Sequence, residues 1–168
     1  MINLFSKCTD IIGVFIFLML TLSLTGCGAG RTMVIAPVEM PVKFTSAELH
    51  EDKATVNVPG DINASFEAKV AQLLYEQDGF TKGPGLKIRY RFIQFNPGNQ
   101  FTRWFLGGIG SAGKGSMTVE ARFLDSSDKE LAKIQSEGEI SSGAFGGSFD
   151  FAVQKTAEEV AEYAKRFR

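Results

Sequence analysis

Alternating apolar and polar residues in the middle of the chain predict a β-strand with one buried face. In residues 86–92 the even positions are Leu, Ile, Tyr and Phe, while the odd positions are basic. This period of two places successive side chains on opposite faces of a sheet. Ile93 and Phe95 then shift the apolar phase, which predicts a β-bulge before a turn at residues 96–99.

Two further alternating stretches predict a β-hairpin. Residues 117–123 and 131–140 both alternate, and the sequence Asp-Ser-Ser-Asp at 125–128 is typical of a turn between them. The inward face of the second strand is rich in small residues, among them Ser136 and Gly138. We therefore expect a helix to pack closely against this strand.

Two segments have the apolar spacing of helices that are buried on one face. In residues 61–77 apolar side chains recur every three or four positions, and Asp61 is placed to cap free amide groups at the start. Residues 148–167 carry an alanine-rich apolar stripe, with acidic side chains early and basic ones late. That order suits the helix dipole.

The residues before the first helix are less regular. Residues 32–38 form a β-branched apolar run, which predicts a buried strand. Residues 39–59 predict a long connection, with at most a short strand at 55–58. The predicted order is therefore β-α-β-β-β-α. It indicates an α+β fold, in which two helices cover one face of a small antiparallel or mixed sheet of about four strands.

An apolar run near the N-terminus predicts a secretory signal peptide. Residues 11–24 hold no charge, follow a polar start that includes Lys7, and are followed by small residues. The competing interpretation is a membrane-spanning helix. Such a helix needs about 20 apolar residues, which is more than this run provides.

The end of the run, Leu24-Thr25-Gly26-Cys27, resembles the lipobox of bacterial lipoproteins. The resemblance implies cleavage between Gly26 and Cys27, diacylglyceryl transfer to the Cys27 thiol, and acylation of the new amine. Two or more acyl chains are enough for stable anchoring in a membrane. The alternative is an ordinary cleavable signal in which the cysteine occurs by chance.

Cleavage at this point divides the chain into three parts. Residues 1–26 are the signal peptide, residues 27–31 are the lipidated N-terminus and tether, and residues 32–168 form a single domain of the bacterial cell envelope. In enteric bacteria an aspartate after the cysteine retains lipoproteins in the inner membrane. Gly28 stands there instead, which favours the outer membrane, facing the periplasm, while the inner membrane stays open.

Charge and cysteine content exclude several functional classes. The formal net charge of −1 gives no overall attraction to nucleic acid. Cys8 leaves with the signal peptide and Cys27 is expected to be lipidated. No thiol then remains for a disulfide, a metal site or a nucleophile.

The glycine-rich stretch at residues 108–115 imitates two nucleotide-binding motifs. Residues 108–113 match G-x-G-x-x-G, and Lys114 stands where a P-loop has its lysine. Both motifs require a helix to follow, but a strand is predicted here, and Gly115 replaces the hydroxyl residue that holds magnesium. Because the protein is also expected to be exported, we predict no nucleotide, no nucleic acid and no cofactor.

The odd positions of the strand at 86–92 form a basic row, namely Lys87, Arg89 and Arg91. Such a row could bind an anionic envelope glycan or lipid through its phosphate groups. The alternative, which we favour, is ion pairing with acidic residues of the neighbouring hairpin. The candidates for this pairing are Glu120, Glu137 and Glu139.

The residues that could support catalysis are few. His50 is the only histidine, and it lies in a charged stretch that is typical of a surface turn. One histidine without a thiol does not make a metal site. We predict no catalytic residues and no metal, so the protein is not expected to be an enzyme.

The segment Trp104-Phe105-Leu106 is the strongest candidate for contact with a partner. It holds the only tryptophan and runs directly into the glycine-rich stretch. An apolar loop on flexible backbone can serve as a docking patch or as an edge that touches the membrane. The alternative is that Trp104 folds back and caps the sheet, since large aromatic side chains mostly lie in the core.

The second half of the chain resembles a family of short bacterial lipoproteins that is known only as a domain of unknown function. The resemblance is carried by Tyr90-Arg91-Phe92, the loop 107–115, the hairpin 118–133 and residues 142–148. It implies no activity. Together these features predict a lipid-anchored envelope lipoprotein that acts as a non-enzymatic protein-interaction or assembly module. A binding module for an anionic envelope glycan or lipid is the alternative.

Overall fold

A computed structural model of the protein describes residues 30–37, 42–98, 115–139 and 149–168. Within these ranges six strands form one sheet, and two helices pack on one of its faces. The strands are β1 (Gly30–Ala36), β2 (Ser46–Glu51), β3 (Thr81–Lys82), β4 (Leu86–Asn96), β5 (Ser116–Leu124) and β6 (Glu130–Glu139). The helices are α1 (Gly60–Gln72), continued by a π-helical turn at Leu73–Gln77, and α2 (Phe149–Ala164), continued by a 3-10 turn at Lys165–Phe167.

The sheet is mixed, with the strand order β1-β6-β5-β4-β2-β3. The pairs β1–β6, β6–β5 and β5–β4 are antiparallel, whereas β2 runs parallel to both of its neighbours, β4 and β3. The predicted α+β class is confirmed, but the predicted count of about four strands is wrong. The predicted hairpin is confirmed as β5 and β6, and the predicted bulge as a register shift between Phe92 and Gln94.

The two strands that the sequence did not predict are β2 and β3. Strand β2 is mostly polar, with the sequence SAELHE, and Ala47 is its only buried residue. Strand β3 has two residues, too few to show a period. The short strand predicted at 55–58 is wrong, because the chain there is irregular. This segment nevertheless runs beside β4, because the amide of Thr55 donates a hydrogen bond to the carbonyl of Phe92 at 3.0 Å.

The core lies between the helices and the inner faces of β4, β5 and β6. The register sets large side chains beside small ones, with Tyr90 opposite Ala121 and Ala121 opposite Ile134. Phe66 of α1 packs on the rings of Tyr90 and Phe92, at centroid distances of 5.0 and 5.6 Å. Because these side chains are fully buried, α1 is fixed over β4 mainly by apolar contact.

Helix α1 is where the sequence predicts it, but its start differs in detail. The helix begins at Gly60, and Pro59 occupies the N-cap position without a side-chain hydrogen bond. The prediction of Asp61 as N-cap is therefore wrong, because Asp61 lies inside the first turn, where its charge still suits the helix dipole. The predicted end is confirmed at Gly79, whose φ of +75° favours a residue without a Cβ.

Helix α2 approaches β6 closely, as the small residues of that strand predict. A Cβ placed on Gly138 would overlap the carbonyl oxygen of Ala152 and the hydroxyl of Thr156. Thr156 is itself buried, and its hydroxyl donates back to the carbonyl of Ala152 at 2.9 Å. The backbone of α2 therefore fills the space that a side chain at position 138 would occupy, and no larger residue fits there without moving α2.

The substitution Gly138→Ala tests this close approach. We expect the free energy of unfolding to fall by about 1–3 kcal/mol, since the added methyl group must push the helix away from the sheet. The measurement is the midpoint of urea unfolding at constant m-value. The matched control is Gly60→Ala, because a Cβ at Gly60 meets nothing within 4 Å. If both variants unfold at the wild-type midpoint, the helix does not depend on this contact.

Candidate functional site

The predicted basic row lies on the outer face of the sheet, opposite the helices. Each of its cations has an acidic neighbour. The nitrogen to oxygen distances are 2.8 Å for Lys87–Asp128, 3.2 Å for Arg89–Asp52 and 2.7 Å for Arg91–Glu120. Two of these partners, Asp52 and Asp128, were not predicted, because they lie outside the regular strands.

Of the three acidic partners that the sequence offers, the structure pairs only Glu120 with the basic row. The register explains this choice. Glu120 faces Arg91 directly across β4 and β5, whereas Glu137 and Glu139 of β6 lie level with Thr118 and Ser116, further along the sheet. The expected pairing with Glu137 or Glu139 is therefore wrong.

The pair of Arg91 and Glu120 is the most enclosed ion pair of the outer face. Glu120 lies on the central strand β5 with 8% of its side chain exposed. Both the Nε and Nη2 atoms of Arg91 contact its Oε1 atom, at 3.0 and 2.7 Å. A carboxylate that loses most of its hydration needs such a charged donor, so this pair contributes to the integrity of the sheet.

A second group of charges is centred on Asp52, just after β2. Its carboxylate lies 3.2 Å from Arg89 and 3.9 Å from Arg122, and Arg122 contacts Glu130 at 2.7 Å. The hydrogen bond to Glu130 is the main reason that the pKa of Arg122 is raised. The amide of Asp52 donates to the carbonyl of Tyr90 at 2.7 Å, which holds the loop in place. Basic and acidic side chains thus alternate across this part of the outer face.

His50 also lies on the outer face, but in strand β2 and not in the surface turn that the sequence predicts. It sits opposite Arg89 in the parallel ladder, and its Nε2 atom is 3.4 Å from Oε2 of Glu48. The ring is 54% exposed. In the part of the chain that the structure describes, no three His, Cys, Asp or Glu side chains form a group able to hold a metal ion.

A polar cluster that the sequence did not reveal joins α1 to β2 and β4. The hydroxyl of Tyr90 donates to Oδ1 of Asn63 at 3.0 Å, and Nδ2 of Asn63 donates to Glu51 at 2.8 Å. Burial, followed by the nearby charges of Glu67 and Glu51, raises the pKa of Tyr90 well above its usual value. The phenol therefore stays neutral, and it serves to position α1.

The exposed apolar side chains are gathered at one edge of the sheet. Within the described residues, the large hydrophobic side chains that are exposed are Met33 (55%), Val34 (42%), Ile35 (46%) and Val42 (45%). We call these four residues the edge patch. The prediction of a buried first strand is wrong, because β1 is an edge strand that pairs only with β6. A run of β-branched residues does not distinguish an edge strand from a central one.

Two shallow grooves border the edge patch. The first, of about 350 Å³, lies between β1 and α2, and its lining includes Val34 and Tyr163. The second, of about 310 Å³, lies at the end of β1, where its lining includes Ala36, Val42 and Leu131. Both grooves are also lined by charged residues, such as Glu159 in the first and Glu130 in the second, so the surface beside the edge patch is mixed in polarity.

The other predicted site residues lie outside the described residues. They are Gly26 and Cys27 of the lipobox, and Trp104, Phe105 and Leu106 of the apolar loop. In the described ranges, neither helix has the length and apolar character needed to cross a membrane.

The buried ion pair can be tested by comparing two alanine substitutions on β4. Arg91→Ala leaves the carboxylate of Glu120 enclosed without its cation, and we expect a loss of about 2 kcal/mol in the free energy of unfolding. Lys87→Ala is the control, since its partner Asp128 is 64% exposed and such pairs are worth less than about 1 kcal/mol. Urea unfolding of both variants measures the difference; equal losses would contradict a special role for Glu120.

Comparisons with known proteins gave one family and distantly similar structures. Two solved structures of the PelC dodecamer from Paraburkholderia phytofirmans, one of them a single-substitution variant, are similar to this chain with 12% identity each. The TM-scores are 0.49 for the variant and 0.48 for the other, and each match covers 84% of this chain and 97% of that chain. No curated protein matches the sequence. A family model described as a domain of unknown function (DUF4410) matches residues 44–144, more than half of the chain, and the chain therefore belongs to this family.

Proposed function

We propose that the protein is a bacterial envelope lipoprotein, anchored by acyl chains on Cys27, whose α+β domain is a non-enzymatic protein-interaction or assembly module. The observation that carries this proposal is the edge patch. A group of exposed apolar side chains at one edge of a sheet is typical of an interaction site. The basic row on the outer face, by contrast, has each of its three cations matched by a carboxylate.

The position of the edge patch relative to Cys27 supports an interaction close to the membrane. Strand β1 begins at Gly30, three residues after the cysteine of the lipobox. A fully extended chain spans at most about 3.6 Å per residue, so Gly30 lies within about 11 Å of the acylated residue. The domain is then held at the bilayer surface, and its partner must reach the same layer.

The alternative function, binding of an anionic glycan or lipid through Lys87, Arg89 and Arg91, has less support. Each of these cations already contacts a carboxylate within 3.2 Å. An anionic ligand would have to displace that carboxylate, and the displaced charge of Glu120 would stay enclosed. We therefore favour a protein partner over an anionic ligand.

The two cysteines of the chain allow a matched test of the lipid anchor. We expect metabolic labelling with an alkyne fatty acid to mark the wild-type protein and Cys8→Ala, because Cys8 lies in the predicted signal peptide. Cys27→Ala should lose the label and keep its full precursor mass. A protein that is isolated from membranes with an unmodified Cys27, or label retained in Cys27→Ala, would show that the lipobox assignment is wrong.

The apolar loop at Trp104 provides a separate test of the protein-interaction role. A photoreactive amino acid at Phe105 should form a crosslink to an envelope protein in intact cells, and Trp104→Ala should weaken that band. The control position is the exposed Glu76 at the end of α1. Identical bands from both positions, or a band that Trp104→Ala leaves unchanged, would exclude this loop as the docking patch.

A further inference from the structure

We propose that the partner of the edge patch is a second copy of this chain, and that two copies join antiparallel through β1 into one continuous sheet. The inference rests on the proposed function, in that it takes the edge patch as the interaction surface. It adds the identity of the partner and the geometry of the contact. Three properties of β1 lead to it.

The first property is an open edge. Strand β1 pairs with β6 on one side, and on its other side no strand of the described residues pairs with it. Alternate residues of β1 therefore direct their amide and carbonyl groups outwards. Exposed edges are normally protected by charge, proline, a β-bulge or short length. The register with β6 shifts between Val34 and Ala36, and Pro37 follows, but residues 32–34, Thr-Met-Val, carry neither charge nor proline.

The second property is that the edge patch occupies both faces of the sheet at the edge. Met33 lies opposite Gln135 of the outer face, whereas Val34 lies opposite the buried Ile134 of the helix-covered face. A bilayer surface would contact one of these faces and would leave the open backbone groups without partners, at a cost of several kcal/mol each. An added strand lies in the plane of the sheet. It contacts both faces and satisfies the backbone.

The third property is the difference between the two edges of the sheet. The opposite edge of the described sheet is formed by the two residues of β3, Thr81–Lys82, and by residues 48–51 of β2, which β3 does not cover. These residues of β2 include Glu48 and Glu51, and charged side chains at an edge disfavour pairing with another strand. Head-to-tail pairing is therefore less favourable than pairing of β1 with β1, and this two-fold contact closes at a dimer.

The sequence of β1 fits such a two-fold pairing. With the axis at Val34, this residue faces Val34 of the second copy, and Met33 faces Ile35 of the second copy. Arg31 then faces Pro37, so that no like charges meet across the strands. The added strand also brings its side chains to the groove between β1 and α2. With the axis at Val34, the two Gly30 residues from which the lipid tethers start lie eight residues apart along the pair, about 27 Å, and both tethers can reach one membrane.

The lipidated protein in its own membrane offers a direct test, because lipidation of Cys27 leaves the mature chain without another thiol. In Val34→Cys the two new thiols face each other across the axis. Directly opposed residues of antiparallel strands have Cα atoms about 4.5–5.5 Å apart, within the range that a disulfide spans. We expect mild oxidation to give a covalent homodimer on a non-reducing gel. Glu76→Cys, which is exposed on the π-helical turn after α1 and not on β1, should give none.

A second substitution keeps the test specific. Adding Ile35→Lys to Val34→Cys places a charge at the pairing edge and should lower the dimer yield about tenfold, equivalent to roughly 1.4 kcal/mol. Absence of a dimer from Met33→Cys, Val34→Cys and Ile35→Cys alike, or crosslinks to a different protein, would overturn self-pairing. A monomer that still carries the fatty-acid label, and still crosslinks from position 105, would overturn this inference and leave the proposed function standing.

Discussion

The close approach of α2 to β6 at Gly138 sets how the helices cover the sheet. Helix backbone occupies the place of a side chain there, so the helix lies directly on the sheet. At its far end the same helix brings Tyr163 and Phe167 against Phe123, at 5.1 and 5.5 Å between ring centroids. Helix α1 then packs beside α2 and over β4. Both helices therefore pack on the same face of the sheet, and the core lies between them and that face.

Because the helices cover only one face of the sheet, the other face and the edge at β1 stay exposed to solvent, and the two surfaces differ in character. On the outer face, the cations of the basic row form ion pairs with carboxylates, and the most enclosed of these pairs joins Arg91 to Glu120. Such pairing stabilises the sheet but leaves few free charges for a ligand. Strand β1 has α2 along one face, where Thr32 donates a hydrogen bond to Glu159, but at the edge it keeps apolar side chains exposed. The unmatched surface of the described domain is therefore an edge, which favours recognition by strand addition.

Sequence periodicity predicted the elements that have one apolar and one polar face. Strand β4, the β5–β6 hairpin and both helices fall in this class, and so does the small-residue face at Gly138. The elements that it missed lack such a contrast. Strand β2 pairs in parallel through mostly polar residues, and β3 is too short for a period. Of the site, the basic row was located correctly, but its partners Asp52 and Asp128 come from loops whose position depends on the whole fold.

Local spacing and local chemistry were enough to identify the core-facing residues of β4, β5, β6 and both helices, and they also support the prediction of lipidation at Cys27. The place of each strand in the sheet came from the tertiary structure alone. The sequence of β1 predicts a buried strand, but its position at the edge of the sheet exposes Met33, Val34 and Ile35. Strand order depends on contacts between residues far apart in the chain, such as Val34 with Ile134. No local pattern encodes such contacts.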